Sequence, residues 1–240
     1  MFDAALASAV HRAEDHHGHI RQIEIVTDLF EGHYEAVTTV AEAFDGALLG
    51  LGVAEAVDGE IVAFDDEVWC IPEDGVPVRA AGSLGMPFAV VAEGGEEIIE
   101  ELPAGLTFEG VTAHVDHVLS LLDKHLDHLV AAVRIDGVFS DVLLRSEPGQ
   151  TPPYKPITDV LEHEVQFEFT AWTGTLVGFR FPDVDDGEVI PGLHLHALSL
   201  DRLSGGHCHR ATVVNAVLHI WVDDVEITIP HPHLGAVLSG

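Results

Sequence analysis

The sequence predicts an α/β protein, more closely α+β, in two units: residues 1–155 as a mixed β-sheet with helices and residues 156–240 as a smaller β-rich unit. Three observations predict it. Short runs rich in Val, Ile, Leu and Phe alternate with turn residues through the first hundred positions, which marks strands. One longer segment, 103–129, changes to a helical rhythm. A proline-rich break, Thr151 to Pro156, interrupts regular structure and is followed by strand-forming runs with little helical periodicity.

In chain order, Phe2, Leu6 and Val10 are spaced to share the inner face of an N-terminal amphipathic helix. Runs at 47–53, 60–64, 68–71 and 88–91 read as strands of one sheet. Val115, Leu119, Leu122, Leu126 and Leu129 recur at helical spacing, with Asp116, Asp123 and Asp127 between them. Residues 130–135 and 138–144 flank Asp136-Gly137, a dipeptide that favours a hairpin turn. Beyond the proline-rich break, runs at 165–172, 175–181, 189–200, 206–216 and 217–229 predict the strands of the second unit.

Composition narrows the function classes. Hydrophobic residues make up 47% of 240 positions, enough for a real core. The 41 acidic residues against 10 basic ones leave a formal charge of −31, the wrong sign for nucleic acid, which is held by clustered Lys and Arg. The same acidity suits concentrated salt, where repulsion among surface carboxylates is screened. No run approaches the roughly 18 apolar residues of a membrane span. Cys70 and Cys208 form no C-x-x-C pair and suggest no disulfide framework, as expected for a reducing cytoplasm.

With 17 histidines, frequency selects none of them. Geometry selects better. Strand alternation in Pro191-Gly-Leu-His194-Leu-His196-Ala-Leu puts His194 and His196 on one face, about 7 Å apart by strand rise. His207 follows a short polar turn that could bring it opposite the pair on an antiparallel neighbour, and Gly205-Gly206 before it suit close backbone approach or a bulge. Three imidazoles with an open fourth position make a catalytic metal site. Spacing fits equally well two polar residues on an exposed face, unrelated to His207. His209 shares the parity of His207, as an alternative ligand or a supporting partner. The histidines at 16, 17, 19, 114, 117, 125 and 128 read as exposed polar positions. Arg145 ends a strand just before the proline-rich loop, where its guanidinium could recognise a carboxylate or form a surface ion pair.

Beyond these patterns, ordered segments resemble the alpha-acetolactate decarboxylases: LGLGVAEAVDGE at 49–60, GMPFA at 85–89, RIDG at 134–137, QTPPYKP at 150–156, GTLVGFRFP at 174–182 and PGLHLHALSLDRLSGGH at 191–207. The resemblance implies a two-domain fold with zinc on His194, His196 and His207 in the second domain, or another divalent transition metal. It implies an acid at Glu60 and a catalytic arginine at Arg145. The implied partner is a small hydroxy-keto acid, 2-acetolactate, converted to acetoin and carbon dioxide by a cytoplasmic homodimer. Where the family has a threonine, this chain has Val53, and no acid follows Pro230, where the family has a second glutamate; either another group, His231 or His233, takes over that acid-base role, or the substrate differs from acetolactate. The same histidines would also serve a zinc-dependent ester hydrolase or a non-catalytic relative that binds a metal or small ligand.

Overall fold

The computed structural model describes residues 19–122, 129–182 and 187–228. The expected N-terminal helix, His231 and His233 lie outside them. Fourteen strands are described: β1 Ile20–Ile23, β2 Thr38–Thr39, β3 Leu49–Val53, β4 Glu60–Phe64, β5 Glu67–Ile71, β6 Val78–Arg79, β7 Gly85–Met86, β8 Phe88–Ala92, β9 Ile98–Leu102, β10 Leu129–Ser146, β11 Val165–Phe169, β12 Trp172–Phe181, β13 Gly192–Ser199 and β14 Gly205–Thr228. The helices are α1 Val26–Glu31, α2 Val40–Ala43, α3 Phe108–Leu122 and α4 Ile157–Leu161.

Two long strands organise the molecule. β10 pairs with β12 on one edge and β14 on the other, while β12 pairs with β13 and β13 with β14. These four strands close into a circuit. The far end of β14 runs parallel to β1, and the sheet continues antiparallel through β8, β3, β4, β5 and β6. Pairing thus crosses the boundary expected at residues 155 and 156 in both directions.

The expected hairpin at Asp136-Gly137 is absent: residues 129–146 form one strand. Asp136 and Gly137 sit in register with Thr175 and Gly174 of β12 and with Val217 and Ala216 of β14. A Cβ on Gly137 would lie 2.5 Å from that of Ala216, so the glycine lets two strands approach closely. The carboxylate of Asp136 is occupied by Arg134 and Thr175. Tertiary pairing has overridden a local turn preference.

The long helix is described from Phe108 to Leu122, and Leu129 already belongs to β10. Val111, Val115, Val118 and Leu119 share its inner face and pack on β10 and β14. Each such burial is worth ~1.5–3 kcal/mol, which is what retains a helix whose outer positions are polar. On its outer faces Asp116 meets Arg180 at 2.6 Å and His114 meets Glu100 at 2.5 Å, in keeping with the polar role expected of His114. A second apolar cluster lies between the circuit and the N-terminal strands, joining Leu51, Val62 and Val90 to Val177, Phe179 and Leu198. The cavity described next opens at the edge of this layer.

Candidate metal centre and active site

Register builds the site. Arg145 on β10 stands opposite His207 on β14, and His207 opposite His196 on β13, so the three share one row across three strands. His194 lies two residues along β13 and therefore on the same face. Gly206, at φ +135°, admits the backbone of β10: a Cβ there would lie 2.4 Å from the Arg145 carbonyl oxygen. The glycine pair before His207 thus serves close approach.

His194 Nε2 lies 3.2 Å from His196 Nε2 and 3.0 Å from His207 Nδ1. One ligand nitrogen from each of the three falls within 4.8 Å of the others, and these residues could hold a metal ion. The chemistry of the set fits one. His196 Nδ1 donates to the Ile61 carbonyl at 2.7 Å, so its Nε2 carries a lone pair. That lone pair faces Glu60 Oε2 at 3.2 Å as well as the His194 nitrogen. Acceptors converging at these distances repel unless a cation lies between them, and an ion ~2.0–2.1 Å from each imidazole nitrogen matches the spacing. A ligand ring anchored through its other nitrogen to a carbonyl is the usual support of such a site.

Electrostatics keep the rings available. Burial, followed by the nearby positive charge of His196 and Arg145, holds His194 well below the usual histidine pKa. Burial and then Arg145 do the same for His207. His196 is lowered by burial, against the opposing pull of Glu60 and the Ile61 bond. Neutral imidazoles are the form that binds metal. His194 and His207 keep some accessible surface because they line a cavity of about 320 Å³.

Glu60 and Arg145, from opposite sides of the layer, meet there. Arg145 Nη1 lies 3.2 Å from Glu60 Oε1, and both side chains are buried. Val53, in register with Glu60, lines the cavity with hydrocarbon, as do Leu51, Phe88, Ile157 and Leu193. His209 stands outside the trio that could hold a metal ion. Its ring packs 5.2 Å from that of His207, and its Nε2 lies 3.5 Å from Glu164 Oε2, the supporting place rather than the ligand place.

A family model described as alpha-acetolactate decarboxylase matches residues 20–233. The chain belongs to this family. It is 35% identical to the alpha-acetolactate decarboxylase of Raoultella terrigena over 190 residues, covering 78% of this chain and 71% of that one. With the decarboxylase of Methylococcus capsulatus it shares 31% over 226 residues, 94% of this chain and 84% of the relative. Its structure superimposes on the crystal structure of the Bacillus subtilis enzyme with a TM-score of 0.83 at 26% identity, covering 90% of each chain. The alpha-acetolactate decarboxylases are carboxy-lyases, and this chain is an enzyme of that kind.

Two acids escaped the sequence reading. Glu147, 2% exposed, lines the cavity beside Arg145 and pairs with its Nη1. Glu164 Oε2 lies 3.2 Å from Arg145 Nε. Parity offered a signal for Glu147, which is two residues from Arg145 and so on the same face. For Glu164 there was none, because its approach depends on the pairing of β11 with β10.

Proposed function

We propose that this enzyme is a metal-dependent decarboxylase that converts 2-acetolactate to acetoin and carbon dioxide. The observation that carries the proposal is the convergence of three neutral imidazoles, Glu60 and Arg145 on one cavity in a chain of this family. His194, His196 and His207 would hold the ion; zinc is assigned because three imidazoles and an open position suit it. When bound, a divalent ion supplies Lewis acidity to a substrate carbonyl oxygen and stabilises the enediolate left as the carboxylate departs.

The remaining roles fall to the side chains. Arg145 presents a fork that matches two carboxylate oxygens and orients the group to be lost. Glu60, with Oε2 beside His196 Nε2, stands where the substrate oxygens must lie and can carry a proton at that atom. The wall formed by Val53, Leu51 and Phe88 limits water around the reacting carbon. A cytoplasmic location is supported by the two unpaired buried cysteines, and a homodimer and a division into units at residue 155 by the family resemblance.

The test is acetoin and carbon dioxide release from racemic 2-acetolactate by zinc-loaded protein. Turnover that disappears in His194→Ala and falls ~100-fold or more in Glu60→Gln is the expected result. A zinc-loaded wild type that releases no acetoin would overturn the proposal, and ester cleavage would then be assayed.

A further inference from the structure

We infer that Glu147 is a second catalytic acid in this cavity, taking up a proton when the substrate carboxylate arrives and delivering it to the carbon that loses carbon dioxide. The inference rests on the decarboxylase reading and adds a residue to it.

Three carboxylates surround one guanidinium. Arg145 faces Glu60 through Nη1, Glu147 also through Nη1, and Glu164 through Nε. One arginine and a divalent ion balance these three charges, so an incoming substrate anion is one negative charge too many. Unbalanced charge in a buried site is strongly unfavourable, and a proton gained from solvent removes it.

The structure also selects the atom. Glu60 Oε1 accepts from Arg145, and its Oε2 faces the lone pair of His196 Nε2, where the proposed ion would lie. Glu164 is more accessible, and its Oε2 is shared between Arg145 and His209. Glu147 Oε2 is buried with no hydrogen-bond partner among the described residues. Arg145 Nε is likewise buried and makes no hydrogen bond among the described residues, since Glu164 lies within ion-pair distance but out of line. A buried acceptor and a buried donor, each without a partner, are costly to keep. A carboxylate that enters between the two side chains satisfies both: it accepts from Arg145 Nε, and Glu147, once protonated at Oε2, turns from acceptor to donor toward the substrate.

The step balances. The bond between C2 and the carboxylate breaks, its electron pair enters the enediolate, and carbon dioxide leaves. The Oε2 proton of Glu147 then forms the new C–H bond at that carbon. Glu147 is left as the carboxylate and reloads with the next substrate. Overall, one substrate anion and one proton give acetoin and carbon dioxide.

The experiment uses zinc-loaded wild type, Glu147→Gln and Glu147→Asp. Calorimetric binding of 2-hydroxy-2-methylbutanoate, which lacks the ketone and cannot decarboxylate, is measured in buffers of different ionisation heat. Wild type should take up close to one proton per ligand, E147Q almost none, and E147D most of it again. With 2-acetolactate, kcat of E147Q should fall ~100-fold, with acetoin of altered enantiomer ratio and E147D partly restoring both. Undiminished proton uptake in E147Q, or turnover within about two-fold of wild type at an unchanged enantiomer ratio, would overturn the assignment. A raised KM with unchanged kcat and enantiomer ratio would also overturn it, leaving Glu147 only a support for Arg145. A wild type that binds the probe with proton uptake yet never decarboxylates would sink the decarboxylase reading and the donor role with it.

Discussion

His196 and Ile61 are joined by a 2.7 Å hydrogen bond from ring Nδ1 to the backbone carbonyl, which ties the strand carrying two of the histidines to the strand carrying Glu60. That one bond sets the tautomer of a proposed metal ligand and places the neighbouring acid beside it.

Removing His196 should therefore do two things where removing His207 does one. Both His196→Ala and His207→Ala should lower bound metal from near one equivalent to almost none. In the metal-free state His196→Ala should also lose ~0.5–1.5 kcal/mol more than His207→Ala, because it alone breaks the buried hydrogen bond to the Ile61 carbonyl. Metal analysis and urea denaturation of the chelated proteins measure both.

The buried neutral histidines predict a pH dependence of the metal-free protein. Their pKa values are depressed in the folded state, so the unfolded chain gains protons first. Stability should be complete above the unfolded value near 6.5 and decline as pH falls below it, by up to ~1.4 kcal/mol per pH unit for each ring. The decline should continue until the folded rings themselves protonate. Denaturant midpoints between pH 8 and 5 test the sign, and His194→Gln should flatten the slope.

Gly206→Ala should damage the fold and the site together. A side chain at φ +135° costs ~1–3 kcal/mol, and its Cβ would press on the Arg145 carbonyl oxygen. A Tm lower by ~5 °C, with weaker zinc binding than wild type, is expected. An unchanged Tm would show that β14 relaxes away from β10 at no cost.

Cys70 and Cys208 should resist alkylation in the native protein. Burial pushes both thiols up to about 12, so almost no thiolate forms at neutral pH. Mass spectrometry should find them unlabelled by iodoacetamide under native conditions and both labelled in denaturant.

The large acidic excess predicts a Tm that rises from low to molar salt as repulsion between surface carboxylates is screened. A Tm that falls over that range would count against adaptation to salt.

Much of the site was legible because strand parity and a short turn are local properties: His194 and His196 had to share a face, and His207 needed only a tight return. Arg145 stood out because arginine is scarce. Glu147 has the same parity as Arg145 but was hidden among 41 acidic residues. Ile61 could not be found by residue type, because its contribution is a backbone oxygen. The misread hairpin has the opposite cause. Asp136-Gly137 carries a strong local turn signal, and only the neighbouring strands at Gly174 and Ala216 reveal the glycine as a point of contact.

The facing of His196 with His207 across β13 and β14 has a consequence for how the chain acquires its shape. Side chains alternate along a strand, so a hairpin closed one residue out of step would turn Leu195 or Cys208 toward the cavity and leave the imidazoles apart. Zinc offered to a refolding chain would bind only molecules whose hairpin has closed in step, and it would draw mispaired ones toward that arrangement by mass action. The ion would then be a selector of strand alignment before it was ever a participant in chemistry.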